Sequence, residues 1–315
     1  MVSQKEIEKA AQLIREGNIV AFPTETVYGL GANALNPLAV ARIFEAKERP
    51  AFDPLIVHIA TSKTIKVLSC TNDKRVTKLA NEFWPGPLTI VLPKSKNVSD
   101  LVTSGLPTVG IRMPDNDIAL ALIRAAGCPI AAPSANKFGR LSPTTAEHVR
   151  KQLSDIPYIL DGGPTKVGIE STVIRLHDDG FEILRQGIIT QTELEAVLPA
   201  SEKSGEDKTN LPSPGLLQSH YSPEKPIYLL KEVPENLTKS EAALLSFSGQ
   251  NTEGYKIVRY LSPNADLKEA AVNLFDMLHE LEEADVSYIV AEPVPEEGIG
   301  VAIMDKLRKA AFRYR

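Results

Sequence analysis

The stretch "CPIAAPSANKFGRLSP", Cys128 to Pro143, passes from a short apolar run into a loop holding Ser134, Asn136, Lys137, Gly139, Arg140 and Ser142. The apolar run reads as a buried strand. A solvent loop needs only glycine, proline and polar filler. Hydroxyls, an amide and two cations at the end of a buried strand are instead the groups that hold phosphate oxygens. Behind the loop, "SPTTAEHVRKQL" reads as a helix start, with Ser142 before Pro143 in the first turn or Thr144-x-x-Glu147 as a capping box. A helix starting near Ser142 would turn its unpaired N–H groups towards an anion. Strand, polar loop and helix together point to an α/β fold with a ligand at the strand ends.

The same alternation extends to both sides. Residues Gln4 to Glu16 have helical spacing and precede the strand "NIVAF". "LAVARIFEAKE" and "DKRVTKLANEFW" read as helices, and "PLIVHIA", "LTIVLP" and "TVGIRMP" as strands. "DNDIALALIRAAG" is a helix closed by Gly127. "PYILDGG" reads as a strand, and "ESTVIRL" with "FEILRQG" as a hairpin around Asp178-Asp179-Gly180. Residues 1–200 thus form a mixed α/β domain with parallel and antiparallel strands. Residues 201–223, with three prolines and two glycines, read as a linker. Its second half, "PGLLQSHYSP", is richer in large side chains than a spacer requires. Residues 224–315 give four further strands and two helices, at 266–284 and 298–312, in a small α/β layout of the nucleotide-binding kind. The glycines of "EGIGVAIMDKL" do not make a GxGxxG fingerprint and read as tight strand-to-helix packing.

With 315 residues the chain is long enough for two domains, and its 43% hydrophobic and 24% charged residues are ordinary for a soluble globular protein. No apolar run approaches the roughly 20 residues of a membrane span, and the amphipathic N-terminus lacks the apolar segment of a secretory signal. Cys70 and Cys128 form no CxxC pair, which argues against a disulfide framework or zinc knuckle and for a reducing, cytoplasmic setting. The net charge of −5 is uneven. Residues 1–200 carry 22 Lys and Arg against 21 Asp and Glu, and residues 201–315 carry 13 against 19. Neither part is a basic nucleic-acid platform. Local cations are therefore read as local sites.

Four more segments carry candidate chemistry. "FPTETVYGLGANA", with Thr26, reads as a tight turn before a helix or as a ligand wall where glycine permits close approach. In "KERPAFDPLIVHI", Lys47 and Arg49 are cations expected at a helix C-terminus, or cations held by Pro50 and Pro54 beside Asp53 to grip triphosphate oxygens. His58 in the same segment is a buried strand histidine or a group facing that loop. Arg112 in "TVGIRMP" needs a partner, because an unpaired buried guanidinium is costly. That partner is a structural carboxylate or a small carboxylate ligand bound bidentately. Ser171 opens one arm of the late hairpin and Arg185 closes the other.

Assembled in this order, residues 1–200 resemble the YrdC-domain family. The family pattern KxR…SxN stands here as Lys47-x-Arg49 and Ser134-x-Asn136, with "FPTETVYGLG", "PLIVHI", "WPGPLTIVL", "TVGIRMP", "APSAN", "SPT" and "GIESTV" in sequence. "PGLLQSHYSP" and "GIGVAIMDKLRKAA" resemble its long, two-domain form. The resemblance implies an open, twisted mixed α/β sheet with a concave cavity over 1–200, a linker or lid over 201–223 and a smaller Rossmann-like domain over 224–315. It implies synthesis of threonylcarbamoyl-adenylate and pyrophosphate from L-threonine, bicarbonate or CO2 and ATP, for N6-threonylcarbamoyladenosine in tRNA. Carried over, Thr26, His58, Arg112 and Ser171 would bind threonine. Lys47, Arg49, Asp53, Thr108, Ser134, Asn136, Ser142, Arg185 and Tyr221 would surround ATP. The catalytic set would be Lys47, Arg49, Arg112 and Arg185. Mg2+ is implied with ATP, without a protein metal site. A downstream tRNA threonylcarbamoyl transferase and weak tRNA or RNA contact are implied partners.

Three other classes compete. A double-stranded RNA-binding module would use the concave surface, against the near-zero charge of residues 1–200 and with steep salt dependence as its signature. A carbamoyl transferase of the hydrogenase-maturation type would bring zinc-finger cysteines that this chain lacks. A regulatory protein would use the acidic second domain for a partner.

Overall fold

The computed structural model describes residues 2–50, 53–202, 219–250 and 252–314. In the first domain α1 (Gln4–Arg15), β1 (Val20–Pro23), β2 (Tyr28–Asn33), α2 (Pro37–Lys47), β3 (Ile56–His58), α3 (Ile65–Leu68), α4 (Lys74–Phe83) and β4 (Leu88–Pro93) come first. They are followed by α5 (Asp100–Thr103), β5 (Thr108–Arg112), α6 (Asp117–Ala126), β6 (Ile130–Ala131), α7 (Ala146–Gln152), β7 (Thr172–Leu176), β8 (Phe181–Arg185) and α8 (Gln191–Glu195). The second domain runs β9 (Ile227–Leu229), β10 (Ala242–Ser246), β11 (Ile257–Tyr260), α9 (Leu267–Glu283), β12 (Tyr288–Ala291) and α10 (Gly300–Phe312).

The first eight strands form one sheet in the order β1-β2-β6-β3-β5-β4-β7-β8. β3 with β5 and β4 with β7 are parallel, and the remaining pairs are antiparallel. The sheet is mixed, as expected. Helices α1 and α6 cover one face through Ala10, Ala11, Ile14, Leu122 and Ile123. The larger core on the other face joins α2, α4 and α5 through Val40, Ile43, Leu79 and Val102. Each cap is local chemistry: Ser3 and Glu6 form a capping box on α1, and Asn36 caps α2 with Pro37 in its first turn. α2 stops at Lys47 because Glu48 turns left-handed at φ 53° two residues before Pro50.

Three sequence readings are corrected. "VYGLGAN" is not a turn before a helix but strand β2, paired antiparallel to β1. Alternating glycines hid it from a propensity reading. Gly31 is needed because a Cβ there would come within 2.6 Å of the Phe22 ring. "PYILDGG" is not a strand, since it contributes a single bridge between Ile159 and Ala21. The helix after the loop starts at Ala146, capped by Thr145 and without the Thr144–Glu147 box. Ser142 is therefore no cap, and the expected anion site at that helix start is withdrawn.

The second domain is a parallel sheet, β11-β10-β12-β9, packed by α9 and α10. Its core continues into the first domain through Val27, Leu141 and Ile169 and into the linker through Tyr221. At Gly168 (φ 79°) the chain passes so close to α9 that a Cβ would lie 2.3 Å from the Val272 carbonyl oxygen. Residues up to Ser201 stay on the first sheet, where Ser201 N donates to Phe181 O at 2.8 Å. Residues 203–218, which include most of the expected linker, lie outside the described residues.

Candidate active site

β3 and β5 run parallel with His58 beside Arg112 at their carboxyl ends. There the two strands meet the 24–27 turn and the 132–142 loop. Together they wall a cavity lined by Thr26, Arg49, His58, Arg112, Ser134, Glu170, Arg185, His220 and Tyr221, among others. The loop is an extension of strand pairing: Leu30 N donates to Pro133 O at 2.9 Å and Ala135 N to Tyr28 O at 2.8 Å. This is why Ser134 is held in place while its side chain faces the cavity.

Lys47 supports that loop from below. Its ammonium donates to Ser134 O at 2.6 Å and to Asn136 O, and the residue is 1% exposed. Burial, then the nearby Arg49 charge, holds it well below the usual lysine range. Arg49 is fixed from three sides. It pairs with Asp53 at 2.9 Å and donates to Asp53 O and Pro54 O, each at 3.1 Å. The prolines flanking Asp53 thus serve a guanidinium clamp, and Asp53 acts on Arg49 rather than facing the cavity. Burial pushes the Asp53 carboxyl up, against the pull of Arg49. Asn136 spends its amide on Lys137 O and Arg140 O, and its Oδ1 has no partner.

On the opposite wall Arg185 donates through Nε to Ser171 O at 3.1 Å and through Nη2 to Ser171 Oγ at 3.0 Å. Ser171 Oγ also meets Thr89 Oγ1 at 2.8 Å, so it stands behind the lining. Ser142 Oγ is bonded to Glu170. Thr108 stands at the far end of β5, about 13 Å of strand from Arg112. It lines a second, small cavity with Thr89, Gly110 and Val173, which shares Ile56 with the first.

Arg112 takes the structural carboxylate that the sequence left open. Its Nη2 lies 2.7 Å from Glu25 Oε1, both residues being 4% exposed, and donates to Thr26 Oγ1 at 3.0 Å. The Glu25 contact lacks hydrogen-bond alignment, and Arg112 Nε has no partner. A carboxylate entering the cavity therefore finds donor capacity unspent. Burial, then Arg112, pushes His58 down to about 3, so a neutral imidazole with unpartnered Nδ1 faces the same space.

The linker reaches the site through His220 and Tyr221, both fully or nearly fully buried. Tyr221 has φ 59°, packs its ring at a tilt against Phe275 with centroids 5.3 Å apart and faces Glu170 without a well-aligned hydrogen bond. Sequence reasoning missed Glu25, Glu170 and His220. The first two had a signal: each is a lone acid in a run that otherwise reads as buried ("PTETVYG", "GIESTVI"), where an acid is kept only with a partner.

Residues 12–187 match the family described as "Telomere recombination" (Sua5_yciO_yrdC). Residues 189–312 match "Threonylcarbamoyl-AMP synthase, C-terminal domain". The threonylcarbamoyl-AMP synthase of Bacillus subtilis is 44% identical over 97% of this chain and 93% of its own length. That of Pyrococcus abyssi is 42% identical over 98% and 95%. A crystal structure of P. abyssi Sua5 complexed with L-threonine superposes with a TM-score of 0.88 at 41% identity, over 99% of this chain and 95% of that one. E. coli YciO matches the first domain alone, at TM-score 0.53 and 25% identity, over 59% of this chain and 91% of that one. With both domains matched in order and relatives aligned along nearly their whole length, the chain belongs to the Sua5–YciO–YrdC family in its two-domain form.

Proposed function

We propose that the cavity joins L-threonine, bicarbonate or dissolved CO2 and ATP into threonylcarbamoyl-AMP, releasing pyrophosphate. The product serves N6-threonylcarbamoyladenosine synthesis on tRNA. The observation that carries this reading is the gathering of Arg49, Arg112, Ser134, Arg185 and Tyr221 around one cavity, in a chain whose full-length relatives are threonylcarbamoyl-AMP synthases.

In the reaction the neutral threonine amine forms a C–N bond to CO2, one C=O electron pair moves onto oxygen and an amine proton passes to solvent, giving an N-carboxylate. A carboxylate oxygen then attacks the α-phosphorus, the bond to the β-phosphate breaks and pyrophosphate leaves with its electron pair. The chemistry asks for positioning and charge stabilisation rather than a protein nucleophile. Arg112 and Thr26 hold the threonine carboxylate and hydroxyl, with neutral His58 beside them. Ser171 acts through Arg185. Arg49 and Arg185 face phosphate charge, Ser134 donates to it, and Lys47 fixes the loop that presents Ser134 and Asn136. Tyr221 and His220 shield the mixed anhydride from water. Mg2+ would arrive on the triphosphate and neutralise its charge. Among the described residues no group of three or more His, Cys, Asp or Glu gathers as a metal cage, and Glu170, whose Oε2 makes no well-aligned hydrogen bond at the cavity wall, is a carboxylate such an ion would meet.

We further infer a tRNA threonylcarbamoyl transferase as the acceptor of the product, weak tRNA contact at most, and a cytoplasmic setting. Among the described residues no helix is long and apolar enough to cross a membrane. Pyrophosphate release tests the function. It is expected only when ATP, L-threonine and bicarbonate are all present, and release independent of threonine would refute the reading. RNA binding with steep salt dependence and no ATP turnover would favour the RNA-binding class instead.

A further inference from the structure

We propose that Lys306, on helix α10 of the second domain, is a positioning residue for the ATP end of the first domain's cavity, where it holds the Arg185 and Tyr221 segments in place. The inference rests on the reading of that cavity as the place where ATP meets threonine.

Lys306 is 1% exposed although it carries an ammonium group. Its Nζ crosses the domain boundary and donates at 2.6 Å to the carbonyl oxygen of Gln186, the residue that follows Arg185. It also lies 5.7 Å from the centre of the Tyr221 ring. The same helix holds the linker from behind. His220 N donates to Lys309 O at 3.3 Å, and Ser222 Oγ donates to Ala310 O at 3.3 Å. Ser222 N in turn donates to Gly139 O at 2.8 Å, tying the linker to the 132–142 loop. Glu170, from the cavity wall, acts on both Lys306 and Tyr221.

A lysine that merely filled this space would be costlier than leucine, because burying an ammonium is unfavourable unless its charge is used. Here it is used on the main-chain oxygen beside Arg185 at 2.6 Å, with Asp305 Oδ2 at 3.5 Å as its counter-charge. Burial lowers Lys306 to about 8, with Asp305 and Glu170 opposing the shift and Arg185 and Lys309 adding to it. Arg185 is then anchored on two sides, by Ser171 through its guanidinium and by Lys306 through its neighbouring carbonyl. The second domain completes the site without supplying a group that touches the reacting atoms.

The test uses the full chain carrying Lys306→Met. Loss of a charged hydrogen bond at this point is expected to raise the KM for ATP about tenfold or more and to lower kcat. The dissociation constant of L-threonine, measured by calorimetry without ATP, stays within about twofold, because Thr26, His58 and Arg112 do not touch α10. Lys306→Arg, which keeps a buried cationic donor, restores most of the ATP KM. If the methionine variant does not fold, Lys306→Gln is read in the same way, with an expected rise of about threefold or more. Threonine and ATP constants that move together, or that both stay put in a folded variant, would overturn the proposal. An unmutated chain that releases no pyrophosphate would instead contradict the function of the cavity itself.

Discussion

At the carboxyl ends of β3 and β5, buried polar atoms are left over: His58 Nδ1, Arg112 Nε and, beside them, Asn136 Oδ1 make no hydrogen bond, and the Tyr221 hydroxyl and Glu170 face each other without a well-aligned one. At the carboxyl ends of β10 and β12 the polar atoms close on one another. Ser246 Oγ donates to Glu292 Oε2 at 2.6 Å, Phe247 N donates to the same oxygen at 2.9 Å, and Gly249 N donates to Ser246 Oγ at 3.0 Å. Among the described residues, no unpartnered buried side-chain atom lies beyond residue 221. Leaving such groups unmet costs about 1–3 kcal/mol each, and His58, Arg112, Glu170 and Tyr221 all line this one cavity, whereas the unmet Ser104 Oγ and Thr165 Oγ1 lie outside its lining. Both sheets have the α/β layout that places ligands at strand ends, but the first presents its polar groups there and the second consumes its own. Likeness to a nucleotide-binding layout is therefore not enough to assign a nucleotide to the second domain.

The contrast is sharpened most by Arg49→Ala. It removes the cavity charge proposed to face phosphate and takes its 2.9 Å partner from Asp53, which is 1% exposed. Pyrophosphate release is expected to fall by about 10²–10³ or more, and urea unfolding to report a loss of about 3–5 kcal/mol. Next comes pH. His58 and His279 are both pushed down by burial to about 3. Each is neutral in the fold and takes a proton on unfolding below its ordinary value of about 6.5. Their contribution is complete above about pH 6.5 and is lost as pH falls towards 3. Between pH 6.5 and 5 each is expected to cost about 1.6 kcal/mol in all, the slope rising from about 0.7 towards 1.4 kcal/mol per unit, read from the urea midpoint. A flat midpoint over that range would contradict their buried neutral state. Glu292→Gln should then separate the two sheets. Stability falls by about 1–3 kcal/mol while the threonine dissociation constant stays unchanged by calorimetry. A change in threonine affinity would mean that the second sheet belongs to the site after all. Tyr221→Phe is the smallest. It deletes a hydroxyl with no well-aligned partner, so unfolding free energy should stay within about 0.5 kcal/mol. The KM for ATP should rise several-fold, about what one neutral hydrogen bond gives.

The first sheet was legible where strands read as continuous apolar runs bounded by proline or glycine. "LTIVLP" became β4 and the 108–112 segment β5 without adjustment. β2 was hidden because its glycines are set by the approach of Phe22 and Ile130, which is a tertiary fact. Among the candidate site residues, Arg112 stood out as a charge in an apolar run, and the full set came from the family resemblance. Their roles were less legible, because a sequence does not say which cation faces the cavity and which props a loop. Arg49 lines the cavity, whereas Lys47 turns to the carbonyls of Ser134 and Asn136. Lys306 left one trace. It sits at helical spacing from Ile303 and Ala310, both fully buried, where the pattern calls for an apolar side chain.

The most direct measurement follows carbon from labelled bicarbonate into nucleotide, with ATP and each of L-threonine, L-serine or no amino acid. If unmet groups in the first domain's cavity gather these reactants, label appears in a threonine-dependent adenylate, in step with pyrophosphate. Label-free AMP and pyrophosphate formed without threonine would contradict the account.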